Sequence, residues 1–217
     1  YMHIHILLSA GKMLPTGNAI DFIDGIPVSC VDVSRAMVIL TATSIGLDMN
    51  ATREELDNNK DMMARLEILR QKAATIMGMG DVSGKVSPKV MVVSSNNSQD
   101  GAAIVSRYFV ATHLSETHPS IAMTAGQCLA CACLIPDSIP NKTWKKGNSK
   151  LHQSSDKPIV QWEIPIEHLS GSHMFTVDLT SNTTTAESLL INENSLLRTG
   201  YVTTVEPISE GRAFPLT

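Results

Sequence analysis

The sequence predicts an α+β fold in which a mostly antiparallel, curved and barrel-like sheet surrounds one central hydrophobic helix, with one long amphipathic helix beside it. Residues 121–135 contain almost no strongly polar side chain, so a helix there has no face that suits water. Residues 52–77 carry apolar side chains at helical spacing, with charged residues between them. The remaining strand-like segments lack the repeated strand–helix crossovers that a doubly wound parallel sheet requires.

The central helix is predicted from about Gly126 to Ile135, and it is too short to cross a bilayer. Its cysteines, Cys128–Cys133, are expected to be buried as small hydrophobic residues, because the chain offers no second ligand pair for zinc. Small residues at its start, 124–127, leave backbone N–H groups uncovered at the positive end of the helix dipole, which suits a carboxylate or phosphate. A buried helix with a loose start is the plainer alternative.

The other elements follow from alternation, capping and turn signals. Thr52 and Glu55 form a capping-box pattern at the start of the long helix, and Gly78 lies at its end. Residues 141–157, rich in Lys, Ser, Asn and Gly, are expected to form a flexible loop. A short helix or strand is expected at 189–197. Strands are predicted at 1–8, 26–40 (as a pair), 89–94, 102–110, 159–166, 173–179 and 198–206.

Composition limits the classes of partner. The 217 residues fit one large domain or two small ones, and a net charge of −4 with only 17 Lys and Arg argues against nucleic acid as the main partner. No hydrophobic span or secretory signal is visible, so a cytoplasmic location without membrane contact is expected.

His3 and His5 share a strand face that is more often solvated than metal-binding, and no metal or cofactor is expected. The chain begins inside a strand without Met, which suggests a piece of something longer.

Several polar segments lie next to apolar ones. Thr16, Gly17 and Asn18 follow a proline in a turn, where they can present donors to a ligand or form a plain hairpin turn. Ser170–Gly171 form a similar turn after a predicted strand. Arg107 lies in an apolar strand, where a buried guanidinium needs an anionic partner, either a structural carboxylate or a ligand.

Seven features of the sequence occur in the same order as in one known protein family. They are GKMLPTGN at 11–18, the helix segments 66–70 and 77–79, PKV at 88–90, Arg107, His118 with MTAG at 123–126, EHLSG at 167–171, and 197–199 with 210–211. In this order they resemble the PrpF-type isomerases, which share the diaminopimelate-epimerase fold. The resemblance runs through nearly the whole chain.

The resemblance implies that residues 1–217 form one domain, corresponding to the C-terminal half of a two-domain protein. Family members fold as two similar halves with the active site between them, and the first half supplies a lysine and a cysteine implicated in proton transfer. They move an allylic double bond in unsaturated di- or tricarboxylates of the aconitate or methylitaconate type, without a cofactor. A partner half-domain or a homo-oligomer would then complete the site.

This hypothesis assigns roles to residues at three predicted turns. Acid/base chemistry falls to His118 and His168, with Cys128 as a further candidate. Fixed donors would hold the carboxylates and stabilise the electron-rich intermediate. The proposed binding residues are Thr16, Gly17, Asn18, Thr124, Ala125, Gly126, Gln127, Ser170 and Gly171.

Three departures from the family pattern support a second hypothesis, a non-catalytic carboxylate-binding or structural remnant of the same fold. Ser34-Arg35-Ala36 stands where relatives carry Asn-Pro after the strand aspartate. Leu169 stands where proline is usual, and Tyr201 interrupts the usual closing-strand motif.

Overall fold

The computed structural model describes residues 13–33, 35–95, 101–110, 116–153, 159–180 and, by their backbone, 196–203. The strands are β1 (Asp21–Ile23), β2 (Ile26–Val33), β3 (Arg35–Thr41), β4 (Lys89–Ser94), β5 (Ile104–Val110), β6 (Glu116–Thr117), β7 (Lys150–Gln153), β8 (Ile159–His168), β9 (Gly171–Thr180) and β10 (Leu196–Thr203). The helices are α1 (Ala42–Ile45), α2 (Arg53–Asn58), α3 (Lys60–Ile76), α4 (Met123–Cys133) and α5 (Ile139–Thr143), with a 3-10 turn at Lys146–Asn148.

The described strands form one mixed sheet in the order β1-β2-β3-β4-β5-β8-β9-β10, with β6 beside β5 and β7 beside β8. Neighbours are antiparallel except for β3–β4 and β5–β8, which are parallel. The prediction of an α+β fold with a mostly antiparallel sheet is therefore confirmed. Within the described residues β1 and β10 do not pair with each other, so barrel-like closure of the sheet stays a prediction.

Helix α4 forms the centre of the fold, as predicted, although it begins at Met123 rather than near Gly126. It packs against β2 and β3 on one side and against β8 and β9 on the other, so the sheet curves around it. Its three cysteines are free and fully buried. Burial raises the pKa of Cys131 to about 12 and that of Cys128 still further, so both are held as thiols.

Strict alternation in β8 and β9 brings two histidines to the start of α4. Every second side chain of each strand is buried in the core around α4: Val160, Trp162, Ile164 and Ile166 in β8, and Phe175, Val177 and Leu179 in β9. Because side chains alternate between the faces of a strand, the next positions on these rows belong to His168 and His173. Each apolar row thus ends in an imidazole.

A second core lies on the opposite face of the sheet. Helix α3 lays Met63, Leu66, Leu69 and Ala73 over Val38, Leu40, Val90 and Val92. The predicted capping box of Thr52 and Glu55 is confirmed. The single helix predicted over 52–77 is instead two helices, because Asn59 leaves helical geometry (ψ 77°) and its side chain caps α3 by accepting from the Met62 N–H at 3.1 Å.

The flexible loop expected at 141–157 is wrong for its described part, which contains most of α5, the 3-10 turn and β7. Ser138 caps α5 by accepting from the Asn141 N–H at 3.2 Å, and the Trp144 ring packs edge-on against Trp162 at 5.2 Å. These two contacts hold the segment in an ordered conformation despite its polar composition. Residues 154–158, the predicted strand at 1–8 with His3 and His5, most of 189–197 and the end of the closing strand lie outside the described residues.

Candidate active site

The start of α4 and the β8–β9 turn meet through Ser120. The Ser120 hydroxyl lies 3.4 Å from Nε2 of His168, which is only 6% exposed. The backbone N–H of Ser120 donates to Nδ1 of His118 at 3.1 Å. One serine therefore joins the two histidines that the sequence singles out.

His118 is half-buried and keeps one ring nitrogen available. Its backbone N–H donates to the Tyr108 carbonyl at 2.7 Å, and its ring lies against the Tyr108 ring with centroids 5.6 Å apart. Because Nδ1 accepts a hydrogen bond, the neutral imidazole carries its proton on Nε2. No described residue forms a hydrogen bond with that Nε2. His118 is thus a donor that faces no internal acceptor in the described chain.

His168, in contrast, uses both of its ring nitrogens. Nδ1 accepts from the backbone N–H of Ser170 at 3.3 Å, and Nε2 lies 3.0 Å from Nδ1 of His173. Burial, and after it the charges of His173, Arg107 and His118, lower the pKa of His168 from 6.5 to about 4. The side chain is therefore uncharged at neutral pH.

The depressed pKa of His168 predicts a pH-dependent stability. Between about pH 6.5 and 4 the unfolded chain protonates this imidazole and the folded chain does not, so stability falls as pH decreases through that window, by up to about 3 kcal/mol. Urea unfolding of the wild type and His168→Gln at several pH values measures this. The stability advantage of the wild type is expected to shrink towards pH 4.5. An advantage that stays constant with pH would contradict the assignment.

The first turn of α4 presents two free backbone donors. Ala122 occupies the N-cap position and provides no side-chain cap. The N–H groups of Ala125 and Gly126 both donate to the Ala122 carbonyl at 2.9 Å. Those of Met123 and Thr124 have no partner in the described chain and lie at the positive end of the helix dipole. Two adjacent donors of this kind suit a carboxylate.

Two of the predicted binding residues in α4 also make contacts within the fold. Gln127 is buried, and its Nε2 donates to the Thr176 carbonyl at 3.4 Å and to Sγ of Cys131 at 3.7 Å, which ties α4 to β9. Gly126 lies directly under the Phe175 ring. The open side of the helix start is therefore formed by residues 122–124.

The polar groups of the Thr16–Asn18 turn are bound to Asp21. Thr16 Oγ1 and Asn18 Nδ2 donate to the carboxylate of Asp21 at 2.7 and 2.8 Å. The Ser170 N–H, in contrast, donates to His168, whose ring reaches Ser120 before the start of α4. The structure therefore brings Ser170–Gly171 to the start of α4, whereas Asp21 occupies the donors of Thr16–Asn18.

Arg107 is buried, its two terminal nitrogens bind backbone carbonyls, and its Nε has no hydrogen-bond partner among the described residues. Nη1 donates to the Ser106 carbonyl at 2.8 Å, Nη2 donates to the Met49 carbonyl, and the carboxylate of Glu167 lies close enough to act on its charge. Burial is the main influence and lowers the pKa of Arg107. The guanidinium thus fixes backbone carbonyls beside His168.

Sequence reasoning missed three members of the cluster, namely Ser120, Tyr108 and His173. The signal for His173 was present, since it continues the apolar row of β9. Ser120 and Tyr108 lie in separate segments, and only tertiary packing shows that they meet. Among the described residues no group of three or more His, Cys, Asp or Glu is arranged to hold a metal ion. None of the described helices has the length and apolar character needed to cross a membrane.

The fold and site define a class: an α+β domain whose central buried helix begins beside a histidine–serine cluster. A family model described as "PrpF protein" matches residues 7–200, and the chain belongs to that family. It is 35% identical over 130 residues to the (4E)-oxalomesaconate Delta-isomerase of Novosphingobium sp. (strain KA1), covering 60% of this chain and 35% of that protein. It is 27% identical over 215 residues to the 3-methylitaconate isomerase of Eubacterium barkeri, covering 89% and 53%.

The structural comparison agrees with the sequence comparison. A crystal structure of a methylitaconate-delta-isomerase matches with a TM-score of 0.60 and 24% identity, over 89% of this chain and 50% of the other. At this identity the likeness shows a shared fold. The chain spans from about a third to about half the length of these relatives. The relatives are named as isomerases of carboxylates, which supports a general isomerase role for the family to which this chain belongs.

Proposed function

We propose that this chain is the C-terminal half of an isomerase that moves an allylic double bond in an unsaturated di- or tricarboxylate of the aconitate or methylitaconate type. The observation that carries the proposal is the meeting of His118, Ser120 and His168 at the uncapped start of α4. A carboxylate-binding helix start beside a proton donor is what such a reaction needs from one half of a cleft.

The roles of the residues follow from their free groups. The N–H groups of Met123 and Thr124 hold one carboxylate, and Ser170–Gly171 lie beside the same helix start. His118 directs its Nε2–H at the substrate, where it stabilises negative charge or transfers a proton. His168 has no nitrogen left for substrate, so it positions Ser120 and the start of α4. Thr16–Asn18 would act in carboxylate binding only after releasing Asp21.

We propose that the groups that take a proton from one substrate carbon and return it to another lie outside this chain. Cys128 is buried as a thiol, and the two histidines do not form a carbon acid/base pair by themselves. The missing half, whose lysine and cysteine the family resemblance implies, would supply that chemistry as a partner domain or through a homo-oligomer, without a cofactor. Barrel-like closure of the sheet around α4 belongs to the same proposal. The free, buried cysteines favour a reducing compartment such as the cytoplasm.

Deuterium exchange tests this function. The isolated chain in D₂O is expected to leave the carbon-bound protons of trans-aconitate unexchanged by NMR. Fusing the N-terminal half of a full-length relative ahead of residue 1 is expected to produce both exchange and isomerisation. Exchange by the isolated chain would move the whole acid/base role to His118 or His168. A folded fusion that exchanges nothing would favour the non-catalytic remnant.

A further inference from the structure

The segment that carries His118 follows a strand at the margin of the described sheet. β6 pairs with β5 alone among the described strands, with Thr117 opposite Phe109. The next residue, His118, donates its backbone N–H to the Tyr108 carbonyl at 2.7 Å. Because neighbouring residues of a strand direct their backbone groups to opposite sides, the N–H and C=O of Thr117 point away from β5. Thr117 is fully buried, so these two groups need partners inside the protein.

Two side chains of α2 supply those partners. Asp57 Oδ1 accepts from the Thr117 N–H at 2.7 Å, and Arg53 Nε donates to the Thr117 carbonyl at 2.9 Å. Arg53 and Asp57 lie four residues apart on the helix, and Arg53 Nε is 3.4 Å from Asp57 Oδ2. The Arg53–Asp57 pair therefore replaces a neighbouring strand for one residue of β6, and it holds both backbone groups of Thr117.

Helix α2 is itself fixed in place. Its first turn is closed by the capping box of Thr52 and Glu55, and Leu56 is buried in the second core. Just before the helix, the Met49 carbonyl accepts from the guanidinium of Arg107, which belongs to β5. The pair thus projects from an element that is tied to the same sheet as β6.

The imidazole of His118 takes its direction from the backbone on both sides of it. After His118, the Ser120 N–H donates to Nδ1 at 3.1 Å. Before His118, Thr117 is the residue that the Arg53–Asp57 pair holds. Because Nδ1 accepts a hydrogen bond, the ring proton lies on Nε2, for which the described chain provides no acceptor. A shift of Thr117 would alter both the aim of the ring and its bond to Ser120.

We propose that Arg53 and Asp57 are positioning residues for His118, which keep its Nε2–H directed at the substrate by holding the backbone of Thr117. This inference rests on the proposed function and deepens it, because it adds two residues of α2 that act on the substrate only through His118. A misplacement of about 1 Å in a catalytic group can lower a rate by about 10²-fold. The plainer alternative is that the pair only secures the strand, and the two differ in whether the effect passes through His118.

Kinetics of the fused two-half protein test the proposal. Asp57→Ala leaves the buried Thr117 N–H without an acceptor and is expected to lower kcat by about 10- to 30-fold, with KM changed by less than about twofold. Asp57→Asn keeps an oxygen that can accept this bond and is expected to retain at least about a third of kcat. Glu54→Ala removes an exposed carboxylate from the same helix and is the matched control, expected to change neither constant.

A double-mutant cycle shows whether the effect passes through His118. In the His118→Gln background, Asp57→Ala is expected to lower kcat by less than about threefold, since the ring that the pair positions is gone. A pair that only stabilises the fold would lower kcat by the same factor in both backgrounds. Arg53→Met, which removes the half-exposed donor and keeps the chain length, provides a second variant, with an expected loss in kcat of about 3- to 10-fold.

NMR of the isolated chain gives a reading that needs neither substrate nor the other half. Long-range ¹⁵N–¹H spectra of the wild type are expected to show His118 with its proton on Nε2. In Asp57→Ala and Arg53→Met the ring loses its fixed relation to Ser120, so a mixture of both tautomers is expected.

The two measurements separate this inference from the proposed function. If the fused wild-type protein is active, kcat decides: a loss below about twofold in both variants, or an equal loss in the His118→Gln background, overturns the positioning role and leaves the isomerase function untouched. If the fused wild-type protein neither exchanges nor isomerises, the proposed function fails and the tautomer decides. A His118 ring that keeps its proton on Nε2 in both variants would then overturn the positioning role.

Discussion

Replacing Gly126 by alanine is expected to lower the free energy of unfolding by about 2–3 kcal/mol, although alanine favours a helix by about 1 kcal/mol over glycine. A Cβ at this position would lie 2.0 Å from Cζ and 2.3 Å from Cε1 of Phe175. Phe175 is fully buried in the core around α4, so its ring cannot swing into solvent to make room. Valine, with two further methyl groups, is expected to destabilise the fold more than alanine does.

A double-mutant cycle measures this effect. Phe175→Leu removes the atoms that clash, so Gly126→Ala is expected to be less destabilising in that background by at least about 1 kcal/mol. Gly147→Ala is the matched control, since a Cβ there meets nothing within 4 Å and its backbone is not left-handed. Urea unfolding supplies the free energies. If Gly126→Ala were as stable as the wild type, α4 would not approach β9 as closely as described.

This glycine also shows what sequence reasoning could and could not deliver. The absence of polar residues from 121 to 135 was enough to predict the buried helix, because burial on all sides is a property of composition. That pattern does not show why position 126 requires a glycine. The sequence suggested open backbone donors at 124–127, and the structure adds that an aromatic ring from a strand 49 residues later lies against the Cα of Gly126.

The histidine cluster divides in the same way. Alternation along β8 and β9 predicts the side on which His168 and His173 lie, because it is local to each strand. The link from His168 through Ser120 to His118 joins segments 48 residues apart and depends on how the sheet curves around α4. For the Thr16–Asn18 turn, the sequence does not show that the Asp21 carboxylate accepts hydrogen bonds from Thr16 and Asn18. These are the donors that a ligand would use.

In the complete two-half enzyme, replacing His118 by glutamine is expected to lower kcat by about 10²- to 10³-fold, with a much smaller change in KM. Within the described part of the chain the Nε2–H of His118 faces no acceptor, so we expect its interaction to be kept for charge that develops on the substrate during proton transfer. Glutamine is expected to keep the bond from the Ser120 N–H through its side-chain oxygen, because that oxygen can accept where Nδ1 accepts now. The fold around the start of α4 is therefore expected to survive the substitution.

Two further variants make the result interpretable. His152→Gln removes a half-exposed histidine on β7 that is paired with Glu163 and is expected to leave kcat unchanged. His168→Gln breaks the link to His173 and Ser120. Because His168 is proposed to be a positioning residue, this variant is expected to raise KM and to lower kcat less than His118→Gln does. Turnover is followed by NMR in D₂O, so isomerisation and exchange are read from one sample. A His118→Gln enzyme that turns over within threefold of the wild type would remove His118 from the chemistry and leave the start of α4 as this half's contribution.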